Sequence, residues 1–333
     1  MTRRHTWRTA AAAATLVALV AGCAPSLPSP AAEPAPAVPP VATTLEQSDR
    51  VLRSLGSVLD AADGALDPAK LAPRLSGPAL AMRTSEYARA KATQGAKPPT
   101  VLPTTAQNLV VPQTDSWPRT QLVFTVQPDD LQVPRVLVMQ QASPRDQYHL
   151  WGWARMFPGV DAPATAQPAL GSPVLAPDAK GLVVTPTDAL QQYADVLTNG
   201  DKSQYAATFA QDRFRTQVEQ ALSLSRNALN NVGTANETYT PADTPLATFA
   251  TADGGAIVVG ELTTVLTETV AGAGGSISIT DPLYVALTGK QTAGSSFVRT
   301  STGVVIMYVP PASKGGQVQV FAGEDEVTAA TAQ

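Results

Sequence analysis

The chain contains one cysteine, Cys23, and it stands at the end of an apolar run, LVALVAGC. No other feature constrains the fold as strongly. With no second thiol, no intramolecular disulfide can staple the downstream chain, so its stability has to come from packed cores. About 290 residues follow a proline-rich tract, which is room for two domains of ordinary size.

The residues around Cys23 say where such a chain resides. Arg3, Arg4 and Arg8 form a basic start, and Ala10 to Val20 form an apolar segment. That segment is shorter than the ~20 residues a membrane-spanning helix needs and has the flanks of a secretory signal. Val20-Ala21-Gly22-Cys23 resembles a bacterial lipobox. The resemblance implies a signal peptide over 1–22, cleavage between Gly22 and Cys23, and a thioether-linked lipid on Cys23, whose thiolate is the nucleophile that takes it. Membrane lipid is then a partner, and the expected location is extracytoplasmic, anchored to the outer face of the cell membrane. Two acyl chains anchor stably where one is marginal. Arg3-Arg4 raises a twin-arginine export route, against which polar His5 and Thr6 stand where that signal wants apolar residues; both routes stay open. Cleavage removes three arginines and no acid, so the mature chain is more negative than the formal −4, and nucleic acid is excluded as a partner.

Residues 23–43 then hold the lipidated cysteine and a spacer. Seven prolines fall between Ala24 and Thr43. Such a tract favours extended polyproline II and reaches ~60 Å if fully extended.

The body reads as two α+β halves. In the first, over 44–158, Thr43 and Glu46 form a capping box before an apolar 3.6-residue period through Leu52, Leu55 and Leu59. Asp67-Pro68 opens a short helix, and residues 78–91 form a third. Strands are expected over 107–112, 120–127, 134–141 and 147–156, with Leu122, Phe124 and Val126 marking one buried face. A Pro-, Ala- and Gly-rich linker occupies 159–184. The second half, 185–333, repeats the order: a helix capped at Thr187-Asp188 and ended by Asn199-Gly200, a short helix, and a longer one from Asp212 to about Asn231. Its strands are expected over 235–241, 246–252, 255–270, 275–280, 296–300, 303–309 and 316–322, with a hairpin turn at Ala252-Asp253-Gly254-Gly255.

In the second half, YADVLTNGD (193–201) followed by Tyr205 and Phe209 resembles the start of NTF2-like domains. The resemblance implies two tandem NTF2-like cones, each with N-terminal helices followed by a curved antiparallel sheet around a pocket. The whole body, through WPRT, LWGWAR, YADVLTNGD and ADGGA, also resembles an uncharacterised family of actinobacterial lipoproteins. Neither resemblance supplies a functional residue, because one fold hosts many functions.

Reaction chemistry is hard to place. After cleavage one histidine remains, His149, which excludes histidine-rich metal sites and Cys–His pairs; no metal or cofactor is expected. There is no GxSxG elbow, no SxxK and no phosphate-binding loop. Gly272-Ala273-Gly274-Gly275 reads as a flexible loop. Asp129-Asp130 and Glu324-Asp325-Glu326 read as solvated loop charges. Strict alternation along YHLWGWAR puts His149, Trp151, Trp153 and Arg155 on one face, with Trp117 as a further wall. Those residues, with Tyr193, are the candidate ligand pocket; the competing reading is that the tryptophans are core, their indole N–H groups bonded to carbonyls. The expectation is a non-enzymatic ligand-binding or protein-interaction module with an unidentified small-molecule or protein partner. The alternatives are an NTF2-like acid–base enzyme and an accessory subunit of an envelope transporter or cell-wall complex.

Overall fold

Helix α1 spans Leu45–Asp63. Its capping box uses Thr44 and Gln47, one residue later than Thr43 and Glu46. The shift has a cause: Thr43 is buried and donates with Ser48 to the Gln121 carboxamide oxygen, at 3.2 and 2.9 Å, which ties the helix start to the sheet. A single 3₁₀ turn, Pro68–Lys70, follows Asp67. Helix α2 is Gly77–Ala92. The computed structural model describes residues 38–129, 132–229, 232–243, 246–272 and 274–333. The expected signal peptide, Cys23 and most of the spacer lie outside these, as do Asp130, Asn231 and Ala273.

Four strands follow: β1 (Ala106–Val110), β2 (Arg119–Thr125), β3 (Arg135–Gln141) and β4 (His149–Met156). Their neighbours are antiparallel. The expected one-faced burial of β2 is wrong: Gln121, Leu122, Val123 and Thr125 are all buried, and Val126 is exposed. Strands buried on both faces read as continuous apolar runs, and β3, RVLVM, is one.

The second half supplies α3 (Pro186–Asn199), α4 (Arg213–Ala228), β5 (Gly233–Pro241), β6 (Ala247–Ala250), β7 (Ala256–Val270), α5 (Pro282–Thr288), β8 (Ser296–Val309) and β9 (Gln319–Ala332). The cap of α3 is Thr185, with Pro186 at its first position, rather than Thr187. Strand β8 runs unbroken through Gly303, because its partners β7 and β9 continue on either side. Strand β9 continues ten residues past its expected end at 322. Helix α5 is an addition to the sequence reading; its signal, Asp281-Pro282 with Gly289 behind, matches that of Asp67-Pro68.

One nine-stranded antiparallel sheet joins the halves in the order β1-β2-β3-β4-β9-β8-β7-β5, with β6 also on β7. The seam is short: Ala322 pairs with Met156 and Gly323 with Arg155. Around it the sheet folds over itself. Val110, Leu122, Phe124, Val136 and Val138 of the first half share a core with Phe249, Ile257, Val259, Ile306 and Phe321 of the second. The rings of Phe124 and Phe321 stack at 6.5 Å between centroids. The outer face of the first half carries α1 and α2 over Leu137, Met139 and Trp153, and that of the second carries α3 and α4 over Val258, Val305 and Met307. The layers are helix, sheet, sheet, helix, an α+β architecture. Gly152 permits the sheets to approach: a Cβ there would stand 2.7 Å from a Val304 methyl.

Residues 39–333 group as one compact unit. The segment 159–184 is laced to both halves by main-chain bonds, from Ser172 to Val111 (2.8 Å), from Leu175 to Thr248 (2.9 Å) and from Val183 to Pro310 (3.0 Å).

Candidate functional site

Beside the seam, α4 stands away from the outer face of the sheet and leaves a cavity of about 490 Å³. The helix is placed by its N-terminus. Asp212 caps it, accepting from the Arg215 amide at 2.9 Å, and the buried Tyr193 hydroxyl donates to both Asp212 oxygens at 3.0 and 3.1 Å. Phe214, in the first turn, meets Phe157 over Gly323; a Cβ on that glycine would lie 3.2 Å from both rings. These rings with Met156 and Val218 make the apolar wall.

The floor is acidic. Glu237 and Tyr239 alternate onto it from β5, and Asp325 arrives from β9. Burial raises the Glu237 carboxyl above its ordinary range, against the opposing pull of its hydrogen bond from Tyr239. Its Oε2 atom is buried without a hydrogen-bond partner among the described residues. Asp325 is exposed to solvent at the open side of the cavity, with protein packed around its other sides. That enclosure, then the charges of Glu324 and Glu237, push its carboxyl up to about 7. Tyr239 is pushed far up by burial and by Glu237, so it stays a neutral donor. Glu324 is paired with Arg155, at 3.2 and 3.4 Å, and Arg299 and Arg226 act on Glu237 from a distance, opposing its rise. Neither Glu237 nor Asp325 makes an ion pair among the described residues. Among these residues no three acidic, histidine or cysteine side chains stand close enough to hold one metal ion.

A family model described as a domain of unknown function, DUF8094, matches residues 39–332, almost the whole compact unit. The chain belongs to the DUF8094 family. No curated protein and no solved structure matches it. The DUF8094 match therefore fixes the extent of the domain, and its chemistry has to be read from its own residues.

Of the residues expected to form one aromatic pocket, the DUF8094 fold brings few together. The alternation along β4 fails at Trp151. Val138 pairs with Gly152 and Met139 with Leu150, so Trp151 is the extra residue of a β-bulge. Trp153, 0 % exposed, consequently joins Leu150 beneath the helices, while Trp151 packs half-buried against the inter-sheet core and touches Gly77. The expected carbonyl partner of the Trp153 indole is missing among the described residues. His149 is half-buried opposite Gln140. Tyr193 lies in the second core, its ring tilted against Phe209 at 5.3 Å. Trp117 stands apart, lining a separate cavity with Tyr148.

The cavity residues were hidden by an early end to β9. Glu324-Asp325-Glu326 is strand: Glu326 reaches Arg89 of the first half, while Glu324, paired with Arg155, and Asp325 both line the cavity. The period-two pattern Ala235, Glu237, Tyr239 was the one legible sign of a polar inward face.

Proposed function

We propose that this protein is an envelope lipoprotein whose acidic cavity binds a small ligand with a cationic head and an apolar body. One observation carries the reading. Glu237 and Asp325, neither ion-paired among the described residues, face the same cavity beneath the Phe157–Phe214 wall. Ligand sites are mostly apolar clefts with a few convergent polar groups, and the aromatic wall adds attraction for a cation. Isothermal titration with octylamine, octanol and octanoate tests it. The amine is expected to bind at least about tenfold more tightly than the carboxylate, the size of one charge-assisted hydrogen bond. Glu237→Gln with Asp325→Asn should erase that preference. Equal binding of amine and carboxylate sinks the proposal.

The same reading takes each half as an NTF2-like cone, helices over a curved sheet, joined back to back. It also takes Cys23 as the lipid anchor after loss of residues 1–22. Mass spectrometry of protein from its own host should find acyl groups on Cys23; an unmodified thiol there removes the membrane from the proposal. Among the described residues no helix is long and apolar enough to cross a membrane.

A second reading, acid–base catalysis in the same cavity, is favoured by a carboxyl that titrates near neutrality beside a tyrosine. It requires a host metabolite that the wild-type protein consumes and Asp325→Asn spares. Binding without turnover excludes it.

A further inference from the structure

The first half carries a second cavity of opposite character, about 440 Å³, where the folded chain begins. It is lined by Arg50, Arg74 and Arg119, by Trp117 and Tyr148, and at its rim by Asp146. Arg119 lies flat on the Trp117 indole, 3.8 Å from the ring centre. Among the described residues it donates only to main-chain carbonyls, of Ser116 at 3.3 Å and Ala42 at 3.4 Å. Arg74 is held by the Ser54 hydroxyl at 2.9 Å and the Tyr148 carbonyl at 3.2 Å. Neither guanidinium has an ion-pairing carboxylate among the described residues. Arg50, by contrast, is paired with Glu46 at 2.6 Å.

Tyr148 supplies an independent observation. The residue is 6 % exposed, and its hydroxyl is buried with no hydrogen-bond partner among the described residues. The hydroxyl lies within the field of Arg119, which pulls its pKa down against the rise that burial causes. Buried hydroxyls normally find a partner, and one that does not calls for an explanation. The start of α1, through Thr43 and Gln47, forms another wall and turns the positive end of a 19-residue helix toward the site.

We infer that Arg74, Arg119 and the Tyr148 hydroxyl form an anion site for a phosphate group. Guanidinium forks match phosphate oxygens, a helix start adds favourable field, and the tyrosine donates one further hydrogen bond. The rest of the chain is acidic, so general electrostatic attraction does not explain such a cluster. A free phosphate or phosphomonoester and the phosphodiester of a lipid headgroup share this chemistry.

The test is calorimetric, on mature protein purified from its host in a neutral detergent. Inorganic phosphate and dibutanoyl phosphatidylglycerol, a short-chain lipid, are titrated separately at constant ionic strength. Tighter binding of phosphate assigns the free anion, and tighter binding of the lipid assigns the headgroup. In either case Arg119→Gln should weaken binding at least about tenfold, the loss of one charge-assisted hydrogen bond. Tyr148→Phe, which keeps the ring, should weaken it by a smaller factor with the thermal midpoint unmoved. Binding of neither probe, or binding that both variants leave unchanged, overturns the assignment.

Discussion

At the seam, α2 from the first half and α4 from the second occupy matching places in chain order, each the last helix before its sheet. α2 is bonded down onto β9. Ser85 donates to the Val327 carbonyl, Arg89 reaches Glu326 at 2.5 Å, and Arg83 sits between Asp63 and Glu86, the latter at 2.7 Å. On that side every carboxylate has an arginine. Among the described residues α4 makes no such bonds to β9: its buried arginine, Arg215, turns instead to Asp201 at 2.5 Å. The strand between them presents Glu326 to one helix and Asp325 to the other. One neighbour is neutralised and packed, the other is left facing a cavity. The comparison teaches that an acidic run on a single strand can be scaffold on one face and site on the other, depending only on what the opposing helix brings.

The largest expected effect tests whether the halves are separable at all. Residues 39–158 and 185–333 produced alone should each fail to fold cooperatively, because each exposes its side of the inter-sheet core. A cut within 159–184 of the intact protein should leave the pieces together on size-exclusion chromatography. A half that unfolds in its own sharp transition would break the comparison, since the seam would then join two finished domains.

Next come variants on the filled side. Arg83→Ala leaves Glu86 with the more distant Arg89 at 3.6 Å and Asp63 with the Tyr87 hydroxyl, and should cost ~3 kcal/mol in urea denaturation, the low end for breaking a buried pair. Arg213→Ala, on the exposed rim of the hollow side, should stay within about 0.5 kcal/mol. Trp153→Ala should cost ~3–5 kcal/mol as a large-to-small core change. Trp117→Ala, at the phosphate-type cavity, should cost well under half of that. Equal losses at Trp153 and Trp117 would mean the first-half cavity is as structural as the core.

The smallest effect is a pH dependence. Asp325 has a folded pKa raised from 3.8 to about 7, with burial as the first cause. Below its unfolded pKa both states hold the proton and its carboxyl carries no penalty. As pH climbs from about 4 to 7 the unfolded chain releases the proton while the folded chain retains it, so stability falls, and the loss is complete above 7. Asp325→Asn should therefore raise the thermal midpoint at pH 8 and leave it unchanged at pH 4. Glu326 is also pushed up to about 7 by burial, with Arg89 opposing. Glu326→Gln should give no gain at pH 8, because it deprives Arg89 of its partner. A gain at both positions would erase the distinction between the two faces of β9.

Local structure was legible where the chain's own chemistry dictates it. Gly200 marked the end of α3, whose start was read two residues late at Thr187, and Asp212 marked the start of α4. The Asp253-Gly254 turn is closed by Asp253, which accepts from Thr251 at 2.7 Å. The errors share one origin. QLVFT looked one-faced, YHLWGWAR looked regular and β9 looked finished at residue 322, because each was read against water on one side. In the folded protein β2 has a second sheet behind it, Trp151 is displaced by a bulge, and β9 is paired along its length by β8. The candidate site suffered most: Arg155 was placed on a face that does not exist, and Glu324 and Asp325 were noticed but read as solvated loop charges.

By itself the sequence determined that the body has no intramolecular disulfide and that helices precede antiparallel strands in each half. These follow from residue type and from spacing within a few positions. Tertiary structure alone decided which charges matter. Glu237 and Asp325 are 88 positions apart and meet because β7 and β8 lie between β5 and β9 in one sheet, with α4 held above them. A carboxylate's pKa depends on how much protein encloses it and on which charges share the space, and neither is a property of its neighbours in the chain.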